Sequence, residues 1–172
     1  MEQGSGRTLR LIAVDTLRSD PNEALAQRIG SISRRLEEAI LEFQPSSIAL
    51  ERVFAQANLR TVMGTAQISG ALLALADKHA IPISLHTPSE VKAAVTGNGR
   101  ASKDQVGRMV ATILGLAEIP KPADAADALA IAITHAWRLG IAAGAETGSA
   151  APVTTKAQEQ WRAAISAAKN KR

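Results

Sequence analysis

Apolar residues recur along this chain in two rhythms, short runs or alternations and stripes spaced three and four apart, and the two take turns. Thr8 to Asp15 reads as a strand with imperfect alternation, and Gly4-Ser5-Gly6 ahead of it reads as a hairpin turn. A hairpin needs a strand on its other side, and only Met1 to Gln3 precede it. Asp20-Pro21-Asn22-Glu23 predicts a helix start, with Asp as cap and Pro in the first turn. Leu25, Ile29, Ile32, Leu36, Ile40 and Phe43 then form one apolar stripe, which Pro45 ends. Ser47-Ile48-Ala49-Leu50-Glu51 is a short apolar strand closing on a carboxylate. A second helix is expected from about Leu59 to His79, and a further strand from Ile81 to Leu85. Thr87-Pro88-Ser89-Glu90 opens a short helix through Val95, and Ser102-Lys103-Asp104-Gln105 caps another running to about Leu114. Pro120 and Pro122 introduce a last long helix, Ala123 to about Leu139. Strands alternating with helices predict an α/β sheet protein.

The 172 residues suffice for one domain with a real core. Ala fills 34 positions while aromatics make up 2%, so packing is expected from Leu, Ile, Val and Ala in close-set helices. The absence of Cys excludes disulfides, thiolate catalysis and Cys-ligated zinc. No apolar run approaches the ~20 residues of a membrane span, and the first residues lack the features of a signal peptide, so a cytoplasmic protein is expected. Net charge is +4, but residues 1–140 carry 15 Lys+Arg against 14 Asp+Glu. Most of the excess lies in 141–172, where the composition shifts to Ala, Gly and Thr; a linker and a short basic helix around Trp161 and Ile165 are expected there. The domain reading is therefore 1–140 plus a tail, 141–172.

Three carboxylates stand where carboxylates are awkward. Glu51 closes a buried strand at its carboxyl end, where open α/β sheets place ligands, although a strand emerging into solvent reads the same way. Asp124 and Asp127 lie three apart among alanines in the first turns of a helix. One Asp there is ordinary dipole stabilisation; two on one face repel. Converging acids disfavour full ionisation unless a cation compensates, and hard oxygens suit Mg²⁺ or Mn²⁺. Such a cluster points to two-metal phosphodiester hydrolysis.

Basic residues surround these acids in sequence. Arg52 and Arg60 flank Phe54, which either folds into the core or stacks on a nucleic-acid base. Lys92, Arg100, Lys103 and Arg108 flank Gly97-Asn98-Gly99, a loop suited to phosphates, or simply a wet charged face. His79 and His135 read as surface or satisfied residues, and His86 at most as a phosphate contact.

Ala49-Leu50-Glu51-Arg52-Val53-Phe54, Thr87-Pro88-Ser89-Glu90-Val91-Lys92 and Ala123-Asp124-Ala125-Ala126-Asp127-Ala128-Leu129-Ala130-Ile131-Ala132 together resemble the RuvC family of bacterial Holliday-junction resolvases. The likeness runs from about Arg7 to Arg138 in the same order. It implies a ribonuclease H-like mixed sheet flanked by helices, a homodimer, and Mg²⁺-dependent nicking of two opposed strands of a four-way junction. By matching positions, Glu51, Asp124 and Asp127 would hold the metal, and Phe54 would stack on an unpaired base near the crossover. Lys92 and Lys103 would contact phosphates. The branch-migration proteins RuvA and RuvB would be partners.

The family opens with a mid-sheet strand ending in Asp-Pro-Gly, whose Asp is a fourth metal-binding acid. No Asp-Pro-Gly occurs here, and Asp15 in Ile12-Ala13-Val14-Asp15-Thr16 aligns with the family's third strand instead. The expectation is an N-terminal strand missing through a misassigned start or a truncated gene, and a chain that folds poorly, dimerises abnormally and cleaves little. Two other readings stay open: a non-catalytic junction-binding protein, and another ribonuclease H-like nuclease.

Overall fold

In a computed structural model the described residues are 1–4, 7–52 and 59–147, with the backbone alone described at 59–61 and 140–147. In chain order they form β1 (Glu2–Gln3), β2 (Leu9–Arg10), α1 (Leu25–Phe43), β3 (Ile48–Glu51), α2 (Leu59–Lys78), β4 (Ile83–His86), α3 (Pro88–Thr96), α4 (Lys103–Leu114) and α5 (Ala123–Thr147). The chain divides into two compact units, Met1–Gly140 and Ile141–Arg172.

β1 and β2 pair antiparallel, Glu2 opposite Arg10 and Gln3 opposite Leu9, so a strand does precede the expected turn, of which Ser5 and Gly6 lie outside the described residues. The expected strand to Asp15 is much shorter. The ladder ends at Arg10, opposite Glu2. β3 and β4 pair parallel, from Ile48 opposite Ile83 to Glu51 opposite His86. Among the described residues the four strands form two separate two-stranded sheets, one antiparallel and one parallel.

Local chemistry sets the helix boundaries. Thr87 Oγ1 accepts from the Glu90 N–H while the Glu90 carboxylate accepts from the Thr87 N–H at 2.8 Å, and Ser102 with Gln105 repeats the box on α4. α3 ends on Gly97 at φ 77°, a backbone that favours glycine. The start of α1 departs from expectation. Asp20 Oδ1 accepts from the Asn22 N–H at 2.9 Å and its carbonyl from the Glu23 N–H, closing a turn instead of capping a helix. α1 begins only after Ala24, whose N–H donates to Gln27 Oε1. α5 runs to Thr147, past the expected end near Leu139, because Ala-rich sequence favours helix more than its two glycines oppose it. The tail around Trp161 and Ile165 lies outside the described residues.

The core gathers Val91 and Val95 of α3, Val106 and Val110 of α4, and Leu129, Ala130 and Ile133 of α5, with Leu9 of β2. Gly107 lets α4 approach the following loop, since a Cβ there would meet Ile119 at 2.9 Å. The hairpin is tied to α5 by Trp137, whose Nε1 donates to the Arg7 carbonyl at 3.0 Å and whose ring lies 4.3 Å under the Arg7 guanidinium. The apolar stripe on α1 buries less than its pattern predicts: Ile40 is buried, but Leu25 and Phe43 remain about half exposed. No described helix is long and apolar enough to cross a membrane.

Ile133 is fully buried at the centre of this core. Ile133→Ala is expected to cost about 2–5 kcal/mol, whereas Leu41→Ala, at an exposed position on α1, should shift the thermal midpoint little; paired thermal or urea melts check the contrast.

Candidate functional site

Sheet register and helix start place Glu51, Asp124 and Asp127 within electrostatic reach of one lysine, Lys103. Glu51, the last residue of β3, faces the same side of the parallel pair as His86 opposite it. Asp124 and Asp127 occupy the first two turns of α5, where the helix dipole favours negative charge. Lys103, the first residue of α4, donates to Asp127 Oδ2 at 3.0 Å.

The electrostatics tie these four groups into one cluster. Glu51 keeps solvent contact, yet partial burial pushes its carboxyl above the ordinary carboxylate range, and the Asp127 charge pushes it further against the opposing pull of Lys103. The Lys103 ammonium is held above its usual range by its bond to Asp127 and that residue's charge, with Asp124 and Glu51 adding to the effect. Among the described residues no three acidic or histidine side chains stand close enough to hold one ion jointly. The cluster's donor chemistry nonetheless fits a hard divalent cation: carboxylate oxygens with net negative charge, which has drawn in an ammonium.

The other sequence-selected residues are less closely engaged. Arg52, just beyond β3, is exposed and its N–H donates to the His86 carbonyl at 2.8 Å. Lys92 is half-buried on α3, and Arg100 is exposed, with its N–H held by Asn98 Oδ1 at 3.0 Å. Arg108 lines an open cleft of ≈310 Å³ with Thr96, Asn98 and Gln105. Among the described residues, Lys103 is the cation that ion-pairs with one of the three acids. Phe54 lies outside the described residues, as does the Arg60 side chain. Asp15 pairs with Arg35 of α1 at 3.0 Å.

His86 departs from expectation. It is 2% exposed and packed edge-on against buried His135, so it offers nothing to a phosphate. His135 is satisfied, as expected. Their pairing crosses two elements and left no local trace. One signal was available: His135 follows Asp124 by three helical turns and therefore shares its face.

Residues 1–135 match the family described as crossover junction endodeoxyribonuclease RuvC. Relatives with that name include one from Leifsonia xyli subsp. xyli, 50% identical over 167 residues, covering 92% of this chain and 80% of the relative. Another, from a Nocardioides species, is 52% identical over 154 residues, covering 90% of this chain and 85% of the relative. Among solved structures, Thermus thermophilus RuvC superposes with a TM-score of 0.75 at 35% identity, over 81% of this chain and 85% of that one. The T. thermophilus RuvC complex with a Holliday junction substrate gives 0.76 at 34%, over 83% and 86%.

A carboxylate whose folded pKa is raised costs stability above that pKa, and the cost vanishes below the unfolded value of 4.5. Glu51→Gln is therefore expected to melt above the parent at pH 7.5, with the difference shrinking to nothing below pH 4.5. Thermal melts across that range check it.

Proposed function

Because the chain belongs to the RuvC family of crossover junction endodeoxyribonucleases and shares its ribonuclease H-like fold, we propose that it resolves Holliday junctions in recombination and repair. The reaction is metal-dependent phosphodiester hydrolysis, with symmetric nicks in two opposed strands. The observation that carries the residue assignment is the Lys103–Asp127 ion pair at 3.0 Å, at the start of the helix that also bears Asp124, with the Glu51 carboxyl pushed up by its burial and by the Asp127 charge. These acids come from a strand end and a helix start, and metal-dependent hydrolysis of a phosphodiester uses hard-oxygen ligands of that kind.

Glu51, Asp124 and Asp127 are the residues that would hold Mg²⁺, two ions per site, with Mn²⁺ as a substitute. When bound, such a pair supplies an activated water on one side of phosphorus and stabilises the departing oxygen on the other. Lys103 lies within the field of all three acids and is placed to meet the phosphate that enters among them. Arg52, Arg60, Lys92 and Arg100 position the junction through its backbone, a contact type that orients DNA without reading sequence. Phe54 stacks on an unpaired base at the crossover. Symmetric nicks require two copies of the site related by a two-fold axis, so the working form is a homodimer. It acts in the cytoplasm with the branch-migration proteins RuvA and RuvB.

Band shifts on four-way DNA in EDTA, followed by added Mg²⁺, test the reading. The protein is expected to prefer the junction to linear duplex and, without the family's Asp-Pro-Gly acid in this sequence, to nick it only slowly once the metal is added. Glu51→Gln and Asp127→Asn should each slow cleavage by about 100-fold or more, since metal-borne charge stabilisation is worth several kcal/mol, while junction affinity in EDTA stays within about threefold. Binding without nicking would make the chain a junction-binding protein, and no preference for four-way DNA would overturn the proposal.

A further inference from the structure

Alongside the acids runs a polar chain that the proposed chemistry does not use, buried at its two histidines and reaching half-buried Ser47 at one end and exposed Arg138 at the other. Arg138 Nη1 meets His86 Nδ1 at 3.3 Å, His86 Nε2 meets His135 Nδ1 at 3.3 Å, and His135 Nε2 meets Ser47 Oγ at 3.0 Å. Arg138 also donates from Nη2 to Glu90 Oε1, the carboxylate that caps α3.

Donor and acceptor accounting fixes the direction of this chain. A guanidinium can only donate, so His86 Nδ1 accepts and its proton sits on Nε2. That proton goes to His135 Nδ1, which leaves the His135 proton on Nε2, directed at Ser47. Both imidazoles are then neutral with the same tautomer, in keeping with burial that disfavours charge on each and with the nearby Arg138 charge on His86.

The chain also fixes where α5 lies. Ser47 and Glu51 are four residues apart along β3 and its approach, hence on one face, and His86 stands opposite Glu51 on that face. The residues between, Ala49 and its partner Ser84, are small. His135 bonds to both Ser47 and His86, so it holds α5 against the face that carries Glu51.

We propose that Arg138, His86, His135 and Ser47 form a positioning chain that sets the register of α5 on the β3–β4 pair, and through it the placement of Asp124 and Asp127 against Glu51. The proposal rests on the reading of those acids as the metal-binding site. His135 is a positioning residue, eight residues along the helix from Asp127.

Amide hydrogen exchange on the full chain tests it, with Mn²⁺ affinity and junction affinity in EDTA as companion readouts. His135→Leu breaks the chain, whereas His135→Gln offers an acceptor and a donor in the same order. His135→Leu is expected to speed exchange at Asp127 to Ala130 by at least about tenfold, against less than about twofold in α4. It should weaken Mn²⁺ binding by about fivefold or more and leave junction affinity within about twofold; His135→Gln should bring exchange and Mn²⁺ affinity back to within about threefold of the parent. Equal acceleration throughout α4 and α5, or no change at Asp127 to Ala130, would overturn the proposal. Should His135→Leu fail to melt cooperatively, Ser47→Ala reads the chain from its other end, with about threefold faster exchange at the same amides expected and unchanged exchange contradicting it. A parent protein that neither binds Mn²⁺ nor cuts junctions counts against the proposed function instead, and the exchange comparison still decides the positioning chain.

Discussion

The structure turns on holding negative charge together. Like-charged carboxylates gathered at a strand end and a helix start repel one another, and the Glu51 carboxyl, already held above the ordinary range by partial burial, is pushed further by the Asp127 charge. What holds them is packing elsewhere on α5. Leu129, Ala130 and Ile133 anchor that helix in the core formed with α3 and α4, and the apolar contacts are indifferent to the charges nearby on the same helix. Lys103 offsets part of the repulsion directly. Sites that oppose folding in this way are common where a protein acts on a ligand, since the ligand supplies the missing counter-charge.

Alanine content makes the arrangement possible. Around the two aspartates every neighbour in Ala123–Ala128 is Ala, and Ala125 and Ala126 are buried, so the start of α5 can approach other backbone closely. Ala49 and Ser84 do the same on the facing strands. Larger side chains at these positions would lift the helix from the sheet and separate the acids from Glu51.

What was legible in the sequence was mostly what is local. The caps at Thr87 and Ser102 place α3 and α4 because both partners of each hydrogen bond sit within four residues. The Asp20 signal misled because an Asx turn and a helix cap use the same residue types, and the choice between them depends on the chain that follows. Ladder lengths were illegible for another reason: Leu11 to Asp15 have strand-like composition, but pairing depends on what lies opposite. The stripe on α1 gave the helix and not its burial, since exposure of Phe43 is a property of neighbours. At the site, Asp124 and Asp127 were visible through their spacing and Glu51 through its place at a strand end, while the His86–His135 pair required three-dimensional proximity to be seen.

Everything at the site depends on Glu51 and the two aspartates of α5 serving one metal centre. Paramagnetic broadening by substoichiometric Mn²⁺ in two-dimensional amide spectra reads this directly. The amides of Glu51 and Arg52 should fade together with those of Asp124 to Asp127 over a single titration, and added Mg²⁺ should restore both groups in parallel. Broadening of one group at Mn²⁺ concentrations that leave the other sharp would contradict a shared site.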